Sequence, residues 1–225
     1  MRSEHGAGIP ESTTFAQTLA ELKREGSNLL LVGEASAAAH ASASARLVGD
    51  DSESRRRLFV FTRDADVCAD LPEDVDPETT MVVSQGTDAG SATPVDLPEG
   101  MREEVVEADM LAPLAMRVID AIDLFGSEAD GLEPAELRLC FDSVTSLLED
   151  HDSENVFRML HLVTSRVRQV NGMGHFHLRL DRDSDQVRLL EPMFDAVIEL
   201  RVEGDATEHR WHLRDEEVTS DWVPL

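Results

Sequence analysis

Apolar positions along the chain follow two rhythms, short continuous runs and longer stretches at helical spacing. Phe15, Leu19 and Leu22 recur at helical intervals and the segment stops at Gly26, which predicts a helix over 15–25. The run from Asn28 through Val32 is too short for a buried helix and is closed by Gly33, as in a central parallel strand. From Glu34 to Arg46 the chain is almost wholly Ala and Ser around His40, which favours helix. Leu58–Thr62 and Thr80–Ser84 read as the next two strands, and the acidic stretch 64–79 between them, with Pro72 and Pro77, reads as loop. The segment 86–100 is the longest irregular one, an acidic loop of Gly, Ser, Thr and Pro.

Further along, Leu114, Val118, Ile119, Ile122 and Phe125 share one face of a helix over 112–125 that ends at Gly126. Leu137–Asp142 is a strand ending in a carboxylate. Ser153 is expected to cap a helix buried through Val156, Met159, Leu160, Val163 and Val167, and to close near Asn171-Gly172. His175–Leu180 alternates like a strand, 187–193 reads as a short helix, and Ala196–Val202 and Glu208–Leu213 read as a terminal pair joined through Gly204-Asp205. Strands alternating with helices of this length imply βαβ units. The expected fold is α/β, a mostly parallel sheet flanked by helices on both faces with an antiparallel C-terminal hairpin, as one domain over 15–225 behind a flexible 1–14.

Composition changes this picture in three ways. Hydrophobic residues are 41% of the chain, enough for a core, and no apolar run approaches the roughly 20 residues of a membrane span. No membrane partner is expected. Residues 1–14 lack the basic-then-apolar order of a secretory signal, so the cytoplasm is the expected compartment. Cys68 and Cys140 show neither CxxC nor zinc spacing and read as small, partly buried hydrophobes. The net charge is −26, with 46 Asp plus Glu and Lys23 as the only lysine, an acid excess like that of the cytosolic proteins of extreme halophiles. Such a surface repels phosphates and disfavours a nucleic-acid partner. Arg55-Arg56-Arg57 is the one dense basic run, and without interleaved aromatics it reads as the solvated start of a strand.

The block Leu137–Leu148, the helix around Phe157–Arg168, and the closing stretch His175–Leu180 and Leu190–Leu200 resemble the Walker B strand, following helix and final strands of RecA/KaiC-family ATPases. The similarity spans Asn28 to about Val202 and is strongest over 137–200. It implies a RecA-like P-loop NTPase fold in a haloarchaeal KaiC-like protein, with Asp142 at the position that helps hold nucleotide-bound magnesium. The phosphate loop departs from the family. A P-loop reads G-x-x-x-x-G-K-[ST], because its amides wrap a phosphate and its Lys and hydroxyl reach phosphate and metal. From Gly33 this chain places Ala38 at the second glycine, Ala39 at the lysine and His40 at the hydroxyl, with Glu34 adding a negative charge. Lys23, ahead of the strand, cannot replace the lysine, and the paired glutamates of KaiC-type sites are missing after Thr62, where Arg63-Asp64 stand. Asp64 reads as an exposed loop carboxylate.

The remaining candidates are histidines. His175 and His177 lie two apart on one strand face, so they can open a metal site. Neither His161 nor Asp181 has the spacing of a third ligand, and the plainer reading is a pair facing a crossing helix; no metal or other cofactor is expected. His209 and His212 read as surface residues. The resemblance therefore implies a non-catalytic pseudo-ATPase with no nucleotide site, acting in signalling or regulation through a protein partner, either an active KaiC-like paralogue or a second copy of itself. The alternatives are a weak nucleotide or small-molecule binder or ATPase working from Asp142, Asp64 and His177 at the strand carboxyl ends, or a DNA-recombination accessory factor.

Overall fold

The computed structural model describes residues 11–49, 55–63, 75–86, 97–107, 110–204, 206–214 and 218–225. Asp64, Cys68 and the middle of the 86–100 segment lie outside them. Helix α1 (Glu11–Glu25) leads into β1 (Ser27–Val32), α2 (Ala37–Val48), β2 (Arg56–Phe61), β3 (Thr80–Gln85) and β4 (Arg102–Val106). Then follow α3 (Leu111–Glu128), β5 (Leu137–Asp142), α4 (Val144–Asp150), α5 (Ser153–Gln169), β6 (Met173–Leu178) and α6 (Asp185–Leu190), which runs into a 3₁₀ turn at Glu191–Met193. The chain closes with β7 (Ala196–Glu203), β8 (Ala206–Leu213), β9 (Val218–Thr219) and β10 (Val223–Pro224).

All strands join one sheet in the order β10-β8-β7-β1-β6-β5-β2-β3-β4, with β9 also on β8. From β7 to β4 every neighbouring pair is parallel, and β8 returns antiparallel along β7. The fold is thus α/β, mostly parallel, with the expected C-terminal hairpin. Right-handed crossovers explain how the helices divide between its faces. From β1 the chain moves across the sheet toward β4 and lays α2 on one face. From β4 it returns toward β7, which puts α3, α5 and α6 on the other. That second face holds the largest core, where Leu30, Val60, Leu139, Phe141 and Phe176 meet Val118, Ile122, Val163 and Leu190.

The α2 face has two smaller apolar clusters. One gathers Val48, Phe59, Phe61, Val82 and Cys140; the other gathers Leu29, Leu31, Ala43, Ile198 and Leu200 with Phe15, Leu22 and Trp211 at its margin. Phe15 meets Trp211 edge-on at 6.3 Å. Beyond them Trp222 lies under two guanidinium groups, Arg201 at 4.0 Å and Arg210 at 4.5 Å from its ring centre, which pins the last residues beside β8.

Several expectations are corrected. Helix α1 starts at Glu11, so residues 11–14 are helical and not a loose N-terminus. Helix α2 begins at Ala37 because Ser36 caps it, its hydroxyl accepting from the Ala39 N–H at 3.3 Å, and 34–36 stay in the turn. Ser153 is the first residue of α5, and Asp152 holds the cap position. Strand β4 was not anticipated: Arg102-Glu-Glu-Val-Val106 is an edge strand whose charges hide the pattern. The Arg55–Arg57 run is not solvated either. Arg57 is buried, and Arg56 sits over Phe125 with Glu128 and Glu136 at 3.2 and 3.4 Å.

Gly33 allows the close approach of β1 to β7. It has φ +117°, and a Cβ built on it falls 2.1 Å from the Leu200 carbonyl oxygen, a backbone atom that cannot rotate away. Gly33→Ala is expected to cost more than about 2 kcal/mol of unfolding free energy, measured by urea denaturation, because strain and clash act together. A loss below about 0.5 kcal/mol would contradict this account of the turn.

Candidate functional site

Parallel pairing carries the ends of β1, β5 and β6 to one edge of the sheet, so Gly33, Asp142 and the residues after Leu178 converge there. At such an edge, beside strands whose crossovers leave on opposite faces, open α/β sheets take their ligands. Here the edge is stitched shut by the chain. The Gly33 N–H donates to the Leu180 carbonyl at 2.9 Å, and the Arg179 N–H donates to the Thr145 hydroxyl at 2.9 Å. After β5, the Ser143 N–H donates to the Thr62 hydroxyl at 2.8 Å, and that hydroxyl lies 2.7 Å from the Ser146 hydroxyl. The Asp142–Ser143 peptide is cis.

The candidate residues separate by depth. Glu34 and Ala38 are exposed at the start of α2, whereas Ala39 and His40 point inward and are buried. Asp142, at the end of β5, has no exposed surface. His40 turns beneath the sheet edge, where its Nε2 lies 3.1 Å from the Gly33 carbonyl and its Nδ1 lies 3.2 Å from Nδ1 of His177. A carbonyl only accepts, so Nε2 of His40 carries the proton. With His40 neutral, its Nδ1 accepts from His177 Nδ1–H, which leaves the lone pair of His177 on Nε2.

His175 and His177 face α2 from β6, as the plainer reading expected. Ser44 of α2 places its hydroxyl 2.8 Å from Nε2 of His175 and 3.4 Å from Sγ of Cys140 on β5. The result is a polar column, Cys140–Ser44–His175–His177–His40, on the α2 face, which begins at Cys140 in one of its apolar clusters. Small residues on α2 make room for it: Ala39, Ala43 and Ser44 let the helix lie over imidazoles where larger side chains would hold it away.

Burial pushes the His175 pKa down to about 3, helped by the charge of Arg138. It pushes His177 well below its ordinary value, and the repulsion its own charge would meet from Arg179, and from a proton on His175 or His40, lowers it further. Both rings are neutral at ordinary pH and therefore offer lone pairs. Cys140, His175 and His177 can each offer a metal-ligand atom, all within 4.8 Å of one another. Cys140 is however disulfide-bonded, so its sulfur becomes a strong ligand only when reduced to a thiolate. The disulfide corrects the reading of Cys140 as a plain small hydrophobe. The sequence around Cys140 carries no framework pattern that would announce it.

The histidines left over from the sequence separate in space. His161 is exposed on α5, on the far face of the sheet, and stacks on Phe157 at 6.4 Å. Asp181 is exposed beyond β6. His209 and His212 are half-buried rather than on the surface, and His212 lies 3.0 Å from Glu199. Sequence reasoning weighed His40 only as a lost hydroxyl. The available signal was its place among alanines and serines on a helix that crosses a His-x-His strand.

A family model matches residues 26–200, from the residue before β1 into β7. The chain belongs to a family of unknown function, DUF7504. No curated protein matches it. The family's span takes in the parallel strands from β1 to β7, the turn at Gly33, His40, Asp142 and the His175–His177 pair, and it leaves out β8 to β10.

The depressed histidine pKa values set a pH dependence. The unfolded chain protonates these rings near 6.5, whereas in the folded chain His175 takes up its proton only at about 3 and His177 well below its ordinary value, so stability is complete above pH 6.5 and falls as pH drops below it. Each ring contributes up to about 1.4 kcal/mol per pH unit. Urea midpoints should therefore fall from pH 7 to pH 5, and the fall should be shallower in His175→Gln. A flat profile would show that the rings take up protons while folded.

Proposed function

We propose that the chain is a non-catalytic, RecA/KaiC-like protein, a pseudo-ATPase whose scaffold is kept for protein contacts in signalling or regulation. The observation that carries this reading is the inward-turned His40. At the position where a P-loop offers a hydroxyl to magnesium, the side chain is withdrawn beneath the sheet edge and hydrogen-bonded to the Gly33 carbonyl. Between Gly33 and α2 only residues 34–36 remain, too few to wrap a phosphate. Asp142, which the resemblance would make a magnesium ligand, is fully buried.

The ancestry is supported by topology. The strands carrying Gly33 and Asp142 are parallel, separated by β6 alone, and end at the same edge. The loss of binding is supported by magnitudes. Each charge-assisted hydrogen bond from a loop lysine, hydroxyl or amide contributes roughly 1.5–3 kcal/mol, so losing several lowers affinity by orders of magnitude. A contact surface is available on the helices of the far face. Met116 and Leu124, two turns apart on α3, and Leu162 on α5 are each more than two-fifths exposed. The partner is an active KaiC-like paralogue or a second copy, in a haloarchaeal cytosol to which the acidic composition is suited.

Calorimetry with ATP and magnesium in molar salt should give no saturable binding below millimolar concentration. Micromolar affinity that disappears in Asp142→Asn would overturn the reading and restore an enzyme. Met116→Glu/Leu124→Glu should abolish partner capture or self-association without moving the thermal midpoint, since both side chains already face solvent.

A further inference from the structure

A pocket of about 450 Å³ opens at the amino edge of the sheet, the edge opposite Gly33 and Asp142. There the last turns of α1 and α2 lie over the starts of β1, β5 and β6. Its size falls within the roughly 300–1,000 Å³ of small-molecule sites. Leu22, Leu29, Leu47 and Trp211 give it an apolar wall.

Its charged lining has one sign. Lys23, Arg46, Arg55 and Arg138 reach the pocket, and no carboxylate is among the described residues that line it, in a chain where acids outnumber bases 46 to 20. Lys23, the only lysine, and Arg46 are exposed at the rim. Arg138 is 5% exposed at the base. Arg55 and Arg138 have other partners of their own, so the rim pair is the part of the field open to a ligand.

The floor adds an independent sign of a ligand. Ser27, Met173 and Arg138 stand at one level on three adjacent strands, in register with one another. Alternation along β1 points Ser27 the same way as Leu29, toward α1 and α2 and into the cavity. The Ser27 hydroxyl is fully buried and has no hydrogen-bond partner among the described residues. Buried hydroxyls are almost always paired, because an unmade bond leaves the desolvation cost unrecovered. A ligand oxygen above the floor would complete it.

We propose that this pocket binds a small amphipathic anion, a phosphate or carboxylate joined to an apolar body. The anionic group sits between the Ser27 hydroxyl and the cations, and the body lies along Leu22, Leu47 and Trp211. The site is at the other edge of the sheet from the degenerate phosphate loop, and it stands whether or not the chain descends from an ATPase.

Octyl phosphate serves as the probe, with octanol, inorganic phosphate and phosphatidylglycerol vesicles as comparisons, all titrated into the full chain. Octyl phosphate should bind one to one and at least about tenfold more tightly than octanol or inorganic phosphate, because only it satisfies both wall and floor. Ser27→Ala should weaken it several-fold while leaving the thermal midpoint unchanged or raised, since no bond within the protein is lost. Lys23→Glu/Arg46→Glu, on exposed residues, should weaken it about tenfold or more with the fold intact. Octanol binding as tightly as octyl phosphate, affinity untouched by both variants, or association with vesicles but not with the free amphiphile would each overturn the proposal.

Discussion

Neutral imidazole under a helix of small residues is the constraint on which the α2 face depends. His175 and His177 are fully enclosed on β6, and a charge on either ring would have to be held away from water beside other charged or polar groups. Neutrality is bearable only because each ring finds a partner: Ser44 for His175 and His40 for His177. Those partners come from α2, so the helix must lie close, and closeness demands Ala and Ser. Sequence composition, helix placement and the protonation state of two side chains are thus one solution to one problem.

The same column reaches the edge where the proposed ancestry would place a nucleotide. His40 ties the top of the column to the Gly33 carbonyl, and Gly33 in turn meets the backbone of Leu200. A phosphate loop needs free amides and glycine mobility at this point; the chain has instead committed both to internal bonds. Restoring a lysine at Ala39 would not by itself rebuild such a site, because Ala39 is buried against the sheet and the turn before it is too short.

Much of the architecture was legible in the sequence because its central strands are short apolar runs bounded by glycine and its helices carry regular apolar faces. The β1 and β5 runs and the buried faces of α3 and α5 could be read directly. What escaped had physical reasons. Strand β4 is an edge carrying Glu103 and Glu104, so burial left little mark on it. Helix α4 is a single short element between two stronger ones. Strand β6 looked alternating, yet it is buried on both faces, since its histidines are interior residues satisfied by α2. The site was half legible: the degenerate loop, Asp142 and the His175–His177 pair stood out, but their union through His40, Ser44 and Cys140 joins positions about a hundred residues apart or more in sequence.

The ends of the sheet carry a consequence for assembly. On one side β8 is covered by β9 and β10, short strands fastened by Trp222 beneath Arg201 and Arg210. On the other, β4 is only five residues long and carries Glu103, whose carboxylate accepts from the Ser84 hydroxyl at 2.7 Å, and the exposed Glu104, a charge that disfavours strand addition. Neither margin invites another strand to continue the hydrogen-bond ladder. A partner that met this chain through its faces would read side-chain shape and chemistry, and would be selective in a way that backbone pairing, indifferent to sequence, is not.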